Sequence, residues 1–131
     1  MMPVCRVEDP PSGRSLEARV EEMGEDLVVA VGGGQRIHVG CVVLAQPLPS
    51  KVPGKEWSAS CSVLTIPPHK EEPIARGIAT RLAEVLGRVA VVTAGVHDDN
   101  LDADGIACYL RLGHDLAEEL ARRLADPARD P

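Results

Sequence analysis

The chain has 131 residues, 44% apolar and 26% charged, a formal net charge of -6, one Trp, one Tyr and no Phe. That length suits one domain with a core able to fold alone, and the core must be built from Val, Leu, Ile and Ala. Too few aromatics are present for a base-stacking surface, and the scattered Lys and Arg form no basic stripe, so neither nucleic acid nor an anionic membrane is an expected partner.

Residues 1–13 read as a loosely ordered segment. The first nine residues hold no apolar h-region, so the expected compartment is the cytoplasm. Asp9-Pro10-Pro11-Ser12-Gly13 combines breakers with polarity. A single α+β domain is expected over 14–126, and 127–131 form a polar tail in which Pro127 and Pro131 prevent a helix from continuing.

The first half predicts strands. Leu16, Ala18 and Val20 alternate with Glu17, Arg19 and Glu21, a period of two that gives a strand with one wet face. A turn at Met23-Gly24-Glu25-Asp26 leads to the apolar run Leu27 to Val31, a more deeply buried strand. Gly32-Gly33-Gly34 reads as a hairpin turn into a third strand from Arg36 to Leu44, with Gly40 marking a bulge or close approach. No helix follows these glycines and no Gly-Lys-Ser/Thr appears, so a phosphate loop is not indicated. Pro47 to Glu56 reads as a long loop, and Trp57 to Ile66 as the fourth strand.

Pro67-Pro68 stops that strand. His69 falls in the Pro-rich turn, where exposure is the default. Glu71, Glu72 and Pro73 open a helix whose apolar stripe is Ile74, Ile78, Leu82 and Val85 or Leu86, and Gly87 ends it. Val89 to Val96 is a central strand. Asp102 is the expected N-cap of a last helix marked by Ile106, Leu110, Leu116, Leu120 and Leu124. The expected fold is therefore α+β: a mainly antiparallel sheet of about five strands in ββββ-α-β-α order, with helices packed on one face.

Cys5, Cys41, Cys61 and Cys108 lie far apart, with no Cys-x-x-Cys and no His at finger spacing. They read as free thiols acting as small hydrophobes, and no metal site is expected. No Gly-x-Ser-x-Gly is present either. His38 and His114 fall inside predicted elements, where a structural or surface role is the default.

One loop stands apart. The strand Val89–Val96 reaches Gly95 and delivers His97, Asp98, Asp99 and Asn100 just before a helix begins. Ligands often sit beyond the carboxyl end of a strand, where helix N-terminal N–H groups are free. The candidate binding residues are Gly95, which would admit a ligand or another chain, His97, Asp99 and Asn100, with Asp98 as a turn residue. A turn and capping cluster, or an interfacial histidine, fits the same spacing. A third reading makes His97 a general base oriented by Asp99 in a small hydrolase or isomerase, although no nucleophile lies near it in sequence.

The run Val91-Val92-Thr93-Ala94-Gly95-Val96-His97, followed by Asp99-Asn100 and a long terminal helix, resembles the prenylated flavin chaperone (LpdD-like) family. Gly95, Val96, His97, Asp99 and Asn100 match the motif position by position. Asp98 occupies its variable place, and Gly105 departs from the helix formers expected early in the last helix. The resemblance covers about Ser15 to Leu124. It implies a fold similar to proteasome assembly chaperones and a non-enzymatic accessory protein, possible as a homodimer. Its cofactor would be prenylated FMN or FMN, delivered to a partner decarboxylase. With so few aromatics, the flavin ring would have to lie on aliphatic side chains, Trp57 or Tyr109. A structural assembly chaperone without a small ligand is the alternative.

Overall fold

The computed structural model describes residues 4–68 and 70–125. His69 and the tail 127–131 lie outside the described residues. The elements are β1 (Val4–Asp9), β2 (Arg14–Met23), β3 (Asp26–Gly34), β4 (Cys41–Pro49), β5 (Trp57–Thr65), α1 (Glu72–Leu86), β6 (Ala90–His97) and α2 (Ala103–Ala125). They form one six-stranded sheet in the order β1-β2-β3-β6-β4-β5.

The fold class is α+β, but the sheet is mixed and has six strands rather than five. β3 and β6 run parallel, and the other neighbours are antiparallel. The unforeseen strand is β1. Its Pro-rich connection is a tight turn: Gly13 takes φ 76°, its N–H donates to the Asp9 carbonyl at 2.8 Å, and Ser12 Oγ donates to the Asp9 carboxylate at 2.6 Å. Breakers that resemble a loose segment thus close a hairpin. The β2–β3 hairpin has a two-residue loop, Gly24-Glu25, whose first position takes φ 61°, a backbone state that suits glycine.

The glycine run is not a hairpin. β6 sits between β3 and β4, so the chain must cross β6 to reach β4. Residues 35–40 make that crossing, and β4 begins at Cys41 rather than Arg36. β4 also continues to Pro49, into the stretch expected as loop. It pairs with β6 only from Cys41 to Ala45, so Pro47 lies past that ladder, where no N–H is needed.

Alternation puts Leu16, Ala18, Val20, Val29, Val31, Val43, Val92 and Ala94 on one buried face. α1 covers β4, β5 and β6, α2 covers β1 and β2, and the helices pack against each other. α1 has Pro73 in its first turn and ends at Gly87 in the left-handed conformation, φ 63°. Asp102 caps α2, accepting from the Gly105 N–H at 2.8 Å. Gly105 leaves room there for two side chains: a Cβ would lie 2.3 Å from Leu101 Cδ1 and 3.1 Å from the Arg14 guanidinium. All four cysteines are free thiols, and no helix among the described residues is long and apolar enough to cross a membrane.

The opposite sheet face carries no helix. Leu64 and Ile66 at the β5 end, and Ile37 and Val39 on the crossing segment, are more than half exposed. The buried Thr93 hydroxyl, also on this side, has no hydrogen-bond partner among the described residues. Replacing it with a methyl group of the same shape removes that desolvation cost. Thr93→Val is therefore expected to stabilise the fold by about 1 kcal/mol, measured by urea denaturation.

Candidate functional site

The site is built around the crossing segment. Gly32 on β3 and Gly95 on β6 are cross-strand partners, and together they leave a shelf without side chains on the open face. The crossing chain lies on it. A Cβ at Gly32 would meet Ile37 Cγ2 at 2.5 Å, and one at Gly95 would meet the His38 carbonyl oxygen at 1.5 Å. Gly95 does admit a close approach, and what approaches it is this chain's own backbone. Gln35 and Arg36 N–H both donate to the His97 carbonyl, at 2.7 and 3.2 Å, and Gly40 N–H donates to the Ala94 carbonyl at 3.0 Å.

His97 projects from the end of β6. Its Nε2 lies 2.9 Å from Asp99 Oδ1 and its Nδ1 3.5 Å from Lys70 Nζ. The hydrogen bond to His97 lowers the Asp99 carboxyl below its ordinary 3.8. A depressed acid holds its interaction above its ordinary value and loses it as pH falls through the folded one, so the pair is intact near neutrality. Asn100 takes φ 58° and turns the chain toward α2, a conformation Asn tolerates. Of the four candidates, His97 and Asp99 come together as side chains; Gly95 and Asn100 set the backbone around them.

Asp98 is more than a turn residue. Its Oδ2 accepts from the Tyr109 hydroxyl at 2.6 Å and its Oδ1 from the Gln35 N–H at 2.9 Å, with Arg14 Nε 3.8 Å away. It ties α2 to the crossing segment. Burial, and then the hydrogen bond to Asp98, push the Tyr109 phenol well above its ordinary value. Tyr109 is buried, so it offers no face for a flavin ring. Tyr109→Phe leaves Asp98 short of a charge-assisted bond and is expected to cost about 2 kcal/mol, read from the shift of a denaturation midpoint.

Sequence reasoning missed Glu71. It reads as an ordinary first-turn acid, yet it is 2% exposed. Its Oε2 lies 2.9 Å from His38 Nε2 and accepts from the Val96 N–H at 3.3 Å. Gly40 gives it room, since a Cβ there would lie 2.7 Å from the Glu71 carboxyl carbon. The one signal in the sequence was an unexplained Gly40.

Three hollows surround the crossing segment. A groove of about 600 Å³ on the open sheet face is lined by Arg6, Arg19, Gly32, Ile37, Val39 and Thr93, among others. A hollow of about 400 Å³ lies beside Asp98, Asp99 and Tyr109. A smaller one, about 300 Å³, is lined by Arg36, Ile37, His38 and His97. Among the described residues no group of His, Cys, Asp and Glu could hold a metal ion.

The sheet order, the two helices on one face and the crossing segment define the class. The fold is that of a chain in a chaperone complex for yeast 20S proteasome assembly, with a TM-score of 0.67 at 15% identity, covering 93% of this chain and 94% of that one. Residues 11–125 match the model of the prenylated flavin chaperone LpdD-like domain, and the chain belongs to that family. Protein LpdD of Lactiplantibacillus plantarum is 25% identical over 111 residues, 83% of this chain and 76% of that protein. Membership in a chaperone family makes the protein non-catalytic, which removes the reading of His97 as the general base of a hydrolase or isomerase.

Proposed function

We propose that this protein carries prenylated FMN and delivers it to a partner decarboxylase. The observation that carries the reading is the family match over residues 11–125. The residues present suit such a cargo. A flavin ring offers N–H and carbonyl groups along one edge, and the His97–Asp99 pair presents a ring nitrogen and a carboxylate that can donate and accept there. His97 is only partly exposed and Asp99 largely so, a placement that suits holding and release. Gly95 and Asn100 contribute by fixing the backbone on either side of the pair. The exposed Leu64 and Ile66 on the open face give the decarboxylase, or a second copy of the chain, an apolar surface to cover.

The test is cofactor retention. The protein is produced together with a flavin prenyltransferase and purified, and its flavin absorbance is read per mole of chain. Wild type is expected to retain cofactor, and His97→Ala to weaken retention about tenfold, the worth of one charge-assisted hydrogen bond. A wild-type protein that binds the decarboxylase yet never retains flavin would instead be a structural assembly chaperone.

A further inference from the structure

We infer that β5 is the docking edge for a second copy of this chain. Two β5 strands pair antiparallel about a dyad at Cys61 and join the two sheets into one. The pairing holds whether or not the chain carries a flavin.

The sheet ends in β1 on one side and β5 on the other, and the two edges are protected differently. An unguarded edge is a template for another strand, and charges or prolines are the usual guards. β1 has six residues and carries Arg6, Glu8 and Asp9. β5 has nine residues, Trp57 to Thr65, and holds neither a charge nor a proline. The guards stand just outside it, at Lys55 and Glu56 before and Pro67-Pro68 after. A long, uncharged edge strand is what a partner strand would cover.

The backbone of this edge is open. Ile66 N–H donates to the Gly40 carbonyl at 2.9 Å, so Leu64, Ser62 and Ser60, at a period of two, also turn their backbone groups toward β4. Pro47 and Pro49 agree with this. They stand opposite Ala59 and Trp57, and a proline has no N–H to give, so those pairs carry no ladder bonds. Ala59, Cys61 and Val63 therefore point N–H and C=O away from β4. Among the described residues no backbone hydrogen bond takes these groups up.

The strand's own pattern selects a second copy over another partner. Read outward from Cys61 it is alike in both directions: serine at 60 and 62, an apolar residue at 59 and 63. Antiparallel pairing centred on Cys61 sets Ser60 against the partner's Ser62 and Ala59 against the partner's Val63. Hydroxyl then meets hydroxyl on the open face, where both serines are exposed. Apolar meets apolar on the helix face, and no charge is opposed. Such a dyad runs perpendicular to the sheet, so both open faces lie on one side, with the exposed Leu64 of each copy close to the seam.

The test is the mass of the full chain by sedimentation equilibrium, with folding checked by circular dichroism. Wild type is expected to form a dimer. Ser60→Lys/Ser62→Lys sets like charges against each other on both sides of the dyad and should weaken the dimer at least about tenfold. Mixing that variant with Ser60→Glu/Ser62→Glu should restore a dimer with one chain of each kind. Register is read by cross-linking in a Cys61→Ala background. Ser60 and the partner's Ser62 would form a non-hydrogen-bonded pair with Cα atoms about 4.5 Å apart, within disulfide range. Ser60→Cys/Ser62→Cys should therefore link two chains under mild oxidation, and either single substitution should not. A wild type that stays monomeric up to about 1 mM overturns the pairing. So does a folded lysine variant that dimerises as wild type does, or a single cysteine variant that links as readily as the double.

Discussion

Gly95→Ala is expected to unseat the crossing segment and to destabilise the fold by about 3 kcal/mol or more, the scale of a steric insertion that a packed site does not absorb. The added Cβ would lie 1.5 Å from the His38 carbonyl oxygen, 2.3 Å from its carbon and 2.8 Å from its nitrogen. All three are backbone atoms, so no side-chain rotation relieves the clash. The segment cannot simply lift either, since it is tied to β6 through Gln35, Arg36 and Gly40. Thermal unfolding should show a midpoint roughly 10 °C lower. Displacement of Ile37 from the Gly32 shelf would follow.

Glu71→Ala is the second large effect. Removing the carboxylate orphans the Val96 N–H, a buried donor, and deletes the partner of His38. The orphaned donor costs about 1–3 kcal/mol, and the lost ionic contact adds less, because His38 is partly exposed and can be solvated. The sum is about 3 kcal/mol, measured by urea denaturation. Glu71→Gln keeps an acceptor oxygen and should lose roughly half as much, which separates the hydrogen bond from the charge.

The sequence made the helices, the central strand and the loop after it legible because each rests on local physics. The Ile74–Leu82 stripe, Gly87 as a stop and Asp102 as a cap all depend on a few neighbouring residues, and each is where it was expected. The first strand was lost because Asp9-Pro10-Pro11-Ser12-Gly13 carries the composition of a loose segment while its hydrogen bonds make a hairpin. The parallel pairing of β3 with β6 was not legible, because strand order depends on contacts distant in sequence. Reading Gly32-Gly33-Gly34 as a hairpin followed from that loss. Once β6 lies between β3 and β4, the glycines become a shelf for a crossing chain.

The same reasoning applies to the site. His97 and Asp99 were legible as a pair because they stand two positions apart at the end of a buried strand. Asp98 and Glu71 were not, because their partners, Tyr109, Gln35, His38 and Val96, come from other elements. The open groove was invisible for a related reason. Arg6 sits in the segment expected to be loose, and Gly32 in the segment expected to turn.

The carrier reading is tested most directly by transfer. The chain, loaded with prenylated FMN, is mixed with a cofactor-free decarboxylase, and flavin bound to the chain is followed alongside decarboxylase activity. Flavin should leave the chain as activity appears, and faster activation is expected than with the same concentration of free cofactor. Activation at the same rate with and without the chain, with no flavin ever bound to it, would contradict the carrier role.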